Sequence, residues 1–397
     1  MKLRTAALAL LGLVSACHPK SKTPGPTSSS GSGSGPAPLT IHFDAAPEVV
    51  AQPVGTLRRG INLGNGFDAP REGAWGVVLS ETHFEMARAA GLDHVRLPVR
   101  FSAHADQTAP YTIDPAFFAR IDWAVENALS RGLSIIVDLH HYEELMKDPD
   151  AHVERTVGLW KQIAERYRDR PDSVLFELLN EPCNQLTPDK LNALYARLLP
   201  VVRATNPTRT LIVDSFFWAS PNYLKNLTLP DDPNLVVSFH MYQPILFTHQ
   251  GASWMDPEFQ STGITFPGPS NQPVRATAAA ESTGWTRDWL NNYRTQPAST
   301  NPSSPRAVAA EFDTVTRYVA QTGRRAYLGE FGAVDFADAT SRENYLRLVR
   351  REAERRGFAW SVWDDGGRMQ AMNVKLKAWI DPVAKALFTE QPGEPLP

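Results

Sequence analysis

Eight short apolar runs alternate with longer stretches whose apolar residues recur every three or four positions, and this alternation governs the chain from about Leu57 onward. The runs are RGINLG, HVRLPV, SIIVDLH, SVLFELL, TLIVDS, LVVSFH, RAYLGEF and FAWSVW. Between them lie amphipathic segments such as DPAFFARIDWAVENALSRG and ERTVGLWKQIAERYRDRP. Strand-length runs interleaved with helix-length ones predict β/α units. Gly91, Gly132, Gly323 and Gly357 stand just before a run, where a left-handed helix cap suits glycine. Eight such units with no other domain-sized segment predict a single (β/α)8 barrel, an α/β TIM-barrel fold. An open, doubly wound sheet is the alternative, but the first unit lacks the glycine fingerprint of a dinucleotide site.

The remainder of the chain divides at both ends of this pattern. Residues 1–16, MKLRTAALALLGLVSA, have Lys2 and Arg4 ahead of an apolar run too short to span a bilayer, as an export signal does. The LVSAC ending is similar to a bacterial lipoprotein box, which would make Cys17 the lipidated first residue of the mature chain; ordinary cleavage after Ala16 fits the same residues. Residues 17–50 continue in a Pro/Gly/Ser-rich tract that reads as a flexible tether. The catalytic domain is then expected over 51–397. Lipidation of Cys17 would leave Cys183 alone, without an intramolecular disulfide partner. After LVVSFHMYQP the rhythm breaks for some sixty residues rich in Pro, Ser and Thr, with Trp254, Trp285 and Trp289. This reads as a long functional loop over the mouth of the barrel.

A net charge of -3 gives no basic field for nucleic acid, so no nucleic-acid partner is expected. The ten tryptophans supply either core or sugar-stacking surface. Trp123 and Trp160, at apolar helix positions, are expected in the core, and Trp218 and Trp254, after the fifth and sixth runs, could equally stack on substrate or pack.

In a barrel the C-terminal strand ends converge on one pocket. Arg96 lies in the second run, His140 and His141 close the third, and Asn180 and Glu181 follow the fourth. His240 and Tyr242 end the sixth, Glu330 lies in the seventh and Trp363 in the eighth. Glu181 and Glu330 could face each other across such a pocket, and opposed carboxylates are what glycoside hydrolysis needs: one protonates the leaving oxygen, the other attacks or activates water. Arg96 beside Glu330 would keep it ionised, while burial and a second negative charge would keep Glu181 protonated. His141 is the weaker histidine, because neighbours on a strand face opposite sides and it could point outward.

VLFELLNEP resembles the acid/base signature of glycoside hydrolase family 5, the large cellulase family, and AYLGEFGA resembles its nucleophile strand. The likeness extends from RGINLGN through HVRLPV, IIVDLHH and VVSFHMY to WSVWDDG. It implies that Glu181 is the acid/base and Glu330 the nucleophile. It further implies that Asn180 holds the 2-hydroxyl, that Arg96, His140, His240 and Tyr242 support the reacting sugar and nucleophile, and that Trp363 forms the floor under that sugar. Cys183 departs from the residue usual after NEP. No cofactor or metal is implied, and the expected substrate is a β-1,4-glucan, with mannan and xyloglucan as alternatives. An exported monomer follows, held at the cell envelope by its lipid or else secreted. Two other readings stay open: a metal-dependent barrel hydrolase, against which adjacent histidines should face apart, and a non-catalytic carbohydrate-binding protein, for which both glutamates would be dispensable.

Overall fold

A computed structural model describes residues 51–389. The expected signal, the expected lipidated Cys17, the whole of the expected tether and the last residues lie outside that range. The eight runs form eight strands: β1 (Arg59–Leu63), β2 (His94–Val99), β3 (Ser134–Leu139), β4 (Val174–Glu177), β5 (Leu211–Asp214), β6 (Leu235–Met241), β7 (Arg325–Phe331) and β8 (Ala359–Asp364). All pair in parallel with their sequence neighbours, and β8 returns to β1, so the sheet closes into the expected barrel. Gly91, Gly132, Gly323 and Gly357 all have positive φ, as their place after a helix requires.

Strand periodicity builds the interior in layers, because side chains two residues apart share a face. Ile136, Leu175, Ile212, Val236, Tyr327 and Ala359 fill the lower barrel, with Val54 and Leu57 packed on them. Two residues further along β3, β4, β5 and β6 the same face carries Asp138, Glu177, Asp214 and Ser238, all fully buried. An apolar plug is thus overlain by an acidic layer, and the next step up reaches His140 and His240. The surrounding core between strands and helices is apolar and includes Trp160, whose indole N–H donates to the Leu178 carbonyl at 2.8 Å just ahead of Asn180. Trp123 is partly buried against the same core.

The parity is broken once, in β7. Tyr327 shares the inner face, so simple alternation would put Glu330 outside. The β6–β7 register shifts, with Phe239 opposite Leu328 but His240 opposite Glu330, which leaves Gly329 unpaired as a bulge. The bulge turns Glu330 inward and sets it beside His240.

The segment after β6 corrects one expectation. It is folded rather than a bare loop, with helices Ile245–Thr248, Ala278–Ser282 and Gly284–Thr295. Trp285 and Trp289 pack on the main core, and Trp289 stacks on the buried Tyr293 at 5.3 Å. Only its first part, through Met255, packs with Tyr242 and Trp363.

Candidate active site

Arg96 is the centre from which the site is built. It is fully buried, and such a charge is tolerated only when paired and bonded on all sides. Its Nε and Nη2 grip the two oxygens of Glu177 at 2.7 and 2.6 Å. Its Nη1 donates to Asn62 at 2.8 Å and to Glu330 at 2.7 Å, and Nη2 also donates to Asn180 at 2.7 Å, with Asp138 at 3.0 Å. Burial works against its charge, but Asp138, Glu177 and Glu330 outweigh it and raise the guanidinium well above its ordinary value.

A second line runs through His140. Asp138 receives a short bond from Nδ1, and Nε2 lies 3.2 Å from the Asn180 amide nitrogen, whose oxygen is already held by Arg96. Burial, with His141 and Arg96 adding to it, holds His140 well below the usual imidazole value and therefore neutral. A neutral ring with its proton toward Asp138 accepts from Asn180 at Nε2, and the amide orientation is fixed from both ends.

Glu181 follows β4 in a left-handed backbone conformation, φ 48°, and its N–H donates to Asp214 at 2.9 Å. One of its oxygens lies 2.9 Å from Nδ1 of His240, which is also 3.7 Å from Glu330. One oxygen of each glutamate and a nitrogen of His240 lie within 4.8 Å of one another. Burial pushes Glu181 up to about 7 against the pull of Arg96, and the Glu177 charge adds to the rise. Its side chain is still 24% exposed, so solvent and substrate reach it. Glu330 is only 6% exposed, accepts from Arg96 and takes a 3.0 Å bond from the Tyr242 hydroxyl. Burial raises it too, opposed by His240, Arg96 and that hydroxyl. Arg96 therefore favours the ionised form, as expected, but does not set the balance alone. His240 is itself lowered by burial to about 4, the nearby Glu330 charge opposing.

The aromatic candidates separate by position. Trp363 stacks on the His140 ring at 5.8 Å with a 20° interplanar angle. Gly64 makes room for it, since a Cβ there would come within 2.6 Å of the indole. Trp254 packs behind Tyr242 and Trp363 on Ala252, Val334 and Met369. Trp218 lines the cleft beside Glu181 with His141, Asn180 and Cys183. Phe217, Trp218 and Ala219 all have positive φ, an unusual run that turns the β5 segment toward that cleft.

His141 corrects the expectation from alternation. The strand ends at Leu139 and His141 has φ 49°, so it turns into the cleft instead of outward. Its Nε2 lies 3.8 Å from the buried Asp68, and Trp75 meets its ring edge-on at 5.5 Å. Asp68, His140 and His141 can bring one ligand atom each within 4.8 Å, so the argument that adjacent histidines face apart does not hold. What disfavours an ion on His140 is that both its nitrogens already face Asp138 and Asn180.

Sequence reasoning missed Asn62, Asp68, Asp138, Glu177 and Asp214. A signal was present: SIIVDLH, VLFELL and TLIVDS each carry one acid inside an otherwise apolar run. A carboxylate so placed needs a partner, and the arginine of HVRLPV is the complement.

Comparison with known proteins fits this constellation. The cellulase family, glycosyl hydrolase family 5, matches residues 59–368. The chain belongs to that family. Among relatives, Endoglucanase H of Acetivibrio thermocellus is 34% identical over 313 residues, 79% of this chain but 30% of the relative. The chain thus spans less than a third of that relative's length. Two solved structures of Thermotoga maritima Cel5A superpose well. The endoglucanase has TM-score 0.72 at 35% identity, covering 83% of this chain and 96% of that one. A mannotriose complex has TM-score 0.71 at 36% identity, covering 83% and 97%. All eight strands lie within the span matched to family 5.

Proposed function

We propose that this chain is a retaining glycoside hydrolase that cuts internal β-1,4 bonds of glucan chains. The observation that carries the reading is the approach of Glu181 and Glu330, oxygens within 4.8 Å, with His240 between them. Retaining enzymes hold their carboxyl groups about 5–5.5 Å apart, whereas inverting ones leave roughly 6.5–9.5 Å for a water.

Glu330 attacks the anomeric carbon as that carbon's bond to the leaving oxygen breaks, and Glu181 gives its proton to that oxygen. The glycosyl ester on Glu330 is then opened by water, whose proton returns to Glu181. The raised Glu181 suits a group that must be an acid first and a base second. Arg96 and Tyr242 hold Glu330 in line, Asn180 keeps one amide N–H on His140 and offers the other to the 2-hydroxyl, and Trp363 supports the ring. Trp218 and His141 extend the sugar-binding cleft beside Glu181. Trp254 supports the site by packing on the Tyr242 side.

Support for glucan comes from the relatives named endoglucanases. The mannotriose complex of a similar protein makes β-mannan the second substrate to try. Residues 1–16 act as an export signal, 17–50 as a tether lipidated at Cys17, and 51–397 as the catalytic unit, working as a monomer at the cell envelope. No helix among the described residues is long and apolar enough to cross a membrane.

The test is reducing-end release and viscosity loss on carboxymethyl cellulose, mixed-linkage glucan, xyloglucan and mannan, with Glu181→Gln alongside and EDTA in parallel. The proposal expects a fast fall in viscosity, insensitive to EDTA and lost in the variant. Activity abolished by EDTA would instead favour the metal-hydrolase reading, and no hydrolysis of any glycan would favour a binding protein.

A further inference from the structure

The end of β5 carries a carboxylate to which the two-glutamate reading gives no task. Asp214 is fully buried, and Tyr195 pins its backbone: the Tyr195 hydroxyl donates to its carbonyl at 2.9 Å and accepts from its N–H at 3.1 Å. Its Oδ2 accepts the Glu181 N–H at 2.9 Å and lies 3.8 Å from Nε2 of His240. A few residues on, the Trp218 N–H donates to the Pro182 carbonyl at 3.2 Å. The Glu181–Pro182 turn is therefore gripped on both sides by the β5 segment. A left-handed glutamate persists only where its surroundings fix it.

The His240 ring adds a second connection. A neutral imidazole has one N–H and one lone pair, and the partner of one nitrogen decides what the other offers. Nε2 has no hydrogen-bond partner among the described residues, while the Ser238 hydroxyl is turned to Asp214 and favours its ionised form. Glu177 is also near, but both its oxygens are held by Arg96. Oδ2 of Asp214 is thus the acceptor that a proton on Nε2 would face. Burial raises Asp214 well above the carboxylate range, and a proton on Oδ1 would leave Oδ2 free to accept from both Glu181 and His240. With its proton on Nε2, His240 turns a lone pair at Nδ1 toward Glu181, which can meet it only as the protonated acid.

We propose that Asp214 is a positioning residue for Glu181, holding its backbone through the N–H bond and its carboxyl through the orientation of His240. This rests on Glu181 being the acid/base. It predicts that the step needing a proton suffers most when Asp214 is changed.

The experiment compares kcat/KM on β-glucan with kcat/KM on dinitrophenyl β-cellobioside, whose leaving group needs no protonation. Asp214→Ala should lower the first by roughly 10- to 100-fold, within the range of general acid catalysis, and the second by less than about threefold. Asp214→Asn, which keeps an acceptor oxygen, should restore the first to within about threefold. In a Glu181→Gln background Asp214→Ala should add nothing on β-glucan. If Asp214→Ala does not accumulate as folded protein, Asp214→Ser carries the same comparison. Equal losses on both substrates, no loss on either, or a full additional loss in the Glu181→Gln background would overturn the proposal. Should Glu181→Gln itself show no leaving-group selectivity, the acid/base assignment fails instead, and the two failures are separately visible.

Discussion

His240 Nδ1 lies 2.9 Å from an oxygen of Glu181, and the same nitrogen is 3.7 Å from Glu330. One ring thus spans the gap between the two carboxyls, and the roles of those carboxyls can be told apart chemically. Glu330→Ala should lower hydrolysis of β-glucan by roughly 10³-fold or more, since removal of a nucleophile leaves only binding and electrostatic help. Added azide then serves as external nucleophile. With Glu330→Ala and an activated β-glycoside it should give the inverted α-glycosyl azide, and with Glu181→Ala the retained β-azide. The opposite pairing, read by NMR of the products, would exchange the two assignments.

The pH dependence follows from the protonation each role requires. Glu181 must carry its proton, and burial places that group at about 7, so kcat/KM on β-glucan should fall as pH rises through about 7. Glu330 must be ionised, and burial raises it from its ordinary value, so the acid limb should lie higher than for an ordinary glutamate. The two limbs belong to the interacting pair rather than to isolated groups. With dinitrophenyl β-cellobioside the alkaline limb should vanish and the acid limb remain. Persistence of the alkaline limb at the same pH would assign it to another group.

Arg96 holds together groups that could not otherwise share a barrel. Arg96→Ala would leave Glu177, Asp138 and Glu330 without their common partner. Breaking a buried ion pair by removing one side costs about 3–5 kcal/mol, so urea unfolding should shift by that much or more. A variant as stable as the wild type would mean that the acids are protonated in the fold and need no cation.

Gly329 should tolerate no side chain. A Cβ there would come within 2.7 Å of Ser238 Oγ and 2.8 Å of His240 Nε2. Overpacking of this kind costs about 1–3 kcal/mol, and relief by moving His240 would take the ring from between the glutamates. Gly329→Ala should lose activity on β-glucan by about tenfold with only a modest fall in Tm. Unchanged kcat would show that the bulge relaxes without disturbing the ring.

The barrel was legible because each strand is a short apolar run and each helix carries its own period and cap. The site was legible mainly where a polar residue stands at a strand end, as His140, Asn180 and Glu181 do, and in the one arginine set inside an apolar run, Arg96. Glu330 was found as a polar residue near the end of the seventh run and its role by the likeness of AYLGEFGA to a known strand, but its inward direction depends on the Gly329 bulge, which alternation alone would have missed. His141 was ranked the weakest of the site histidines for the converse reason: alternation was applied to a residue beyond the strand's end. Asp138, Glu177 and Asp214 lie inside the runs, where attention to hydrophobic pattern treats a single acid as noise. Their meaning comes from Arg96, brought to them by closure of the sheet. The interval after Tyr242 was read as loop because its Pro, Ser and Thr content hides three short helices.

The backbone at Glu181 places chemistry and conformational ease in opposition. At φ 48° a glycine would sit without the penalty that any other L-residue bears, a difference of about 1 kcal/mol or more. Glu181→Gly should therefore give a more heat-resistant and inert protein, a higher Tm accompanying lost hydrolysis. Screening variants of this chain for thermostability alone would favour replacing the residue on which turnover depends, so any such selection needs activity measured in the same round.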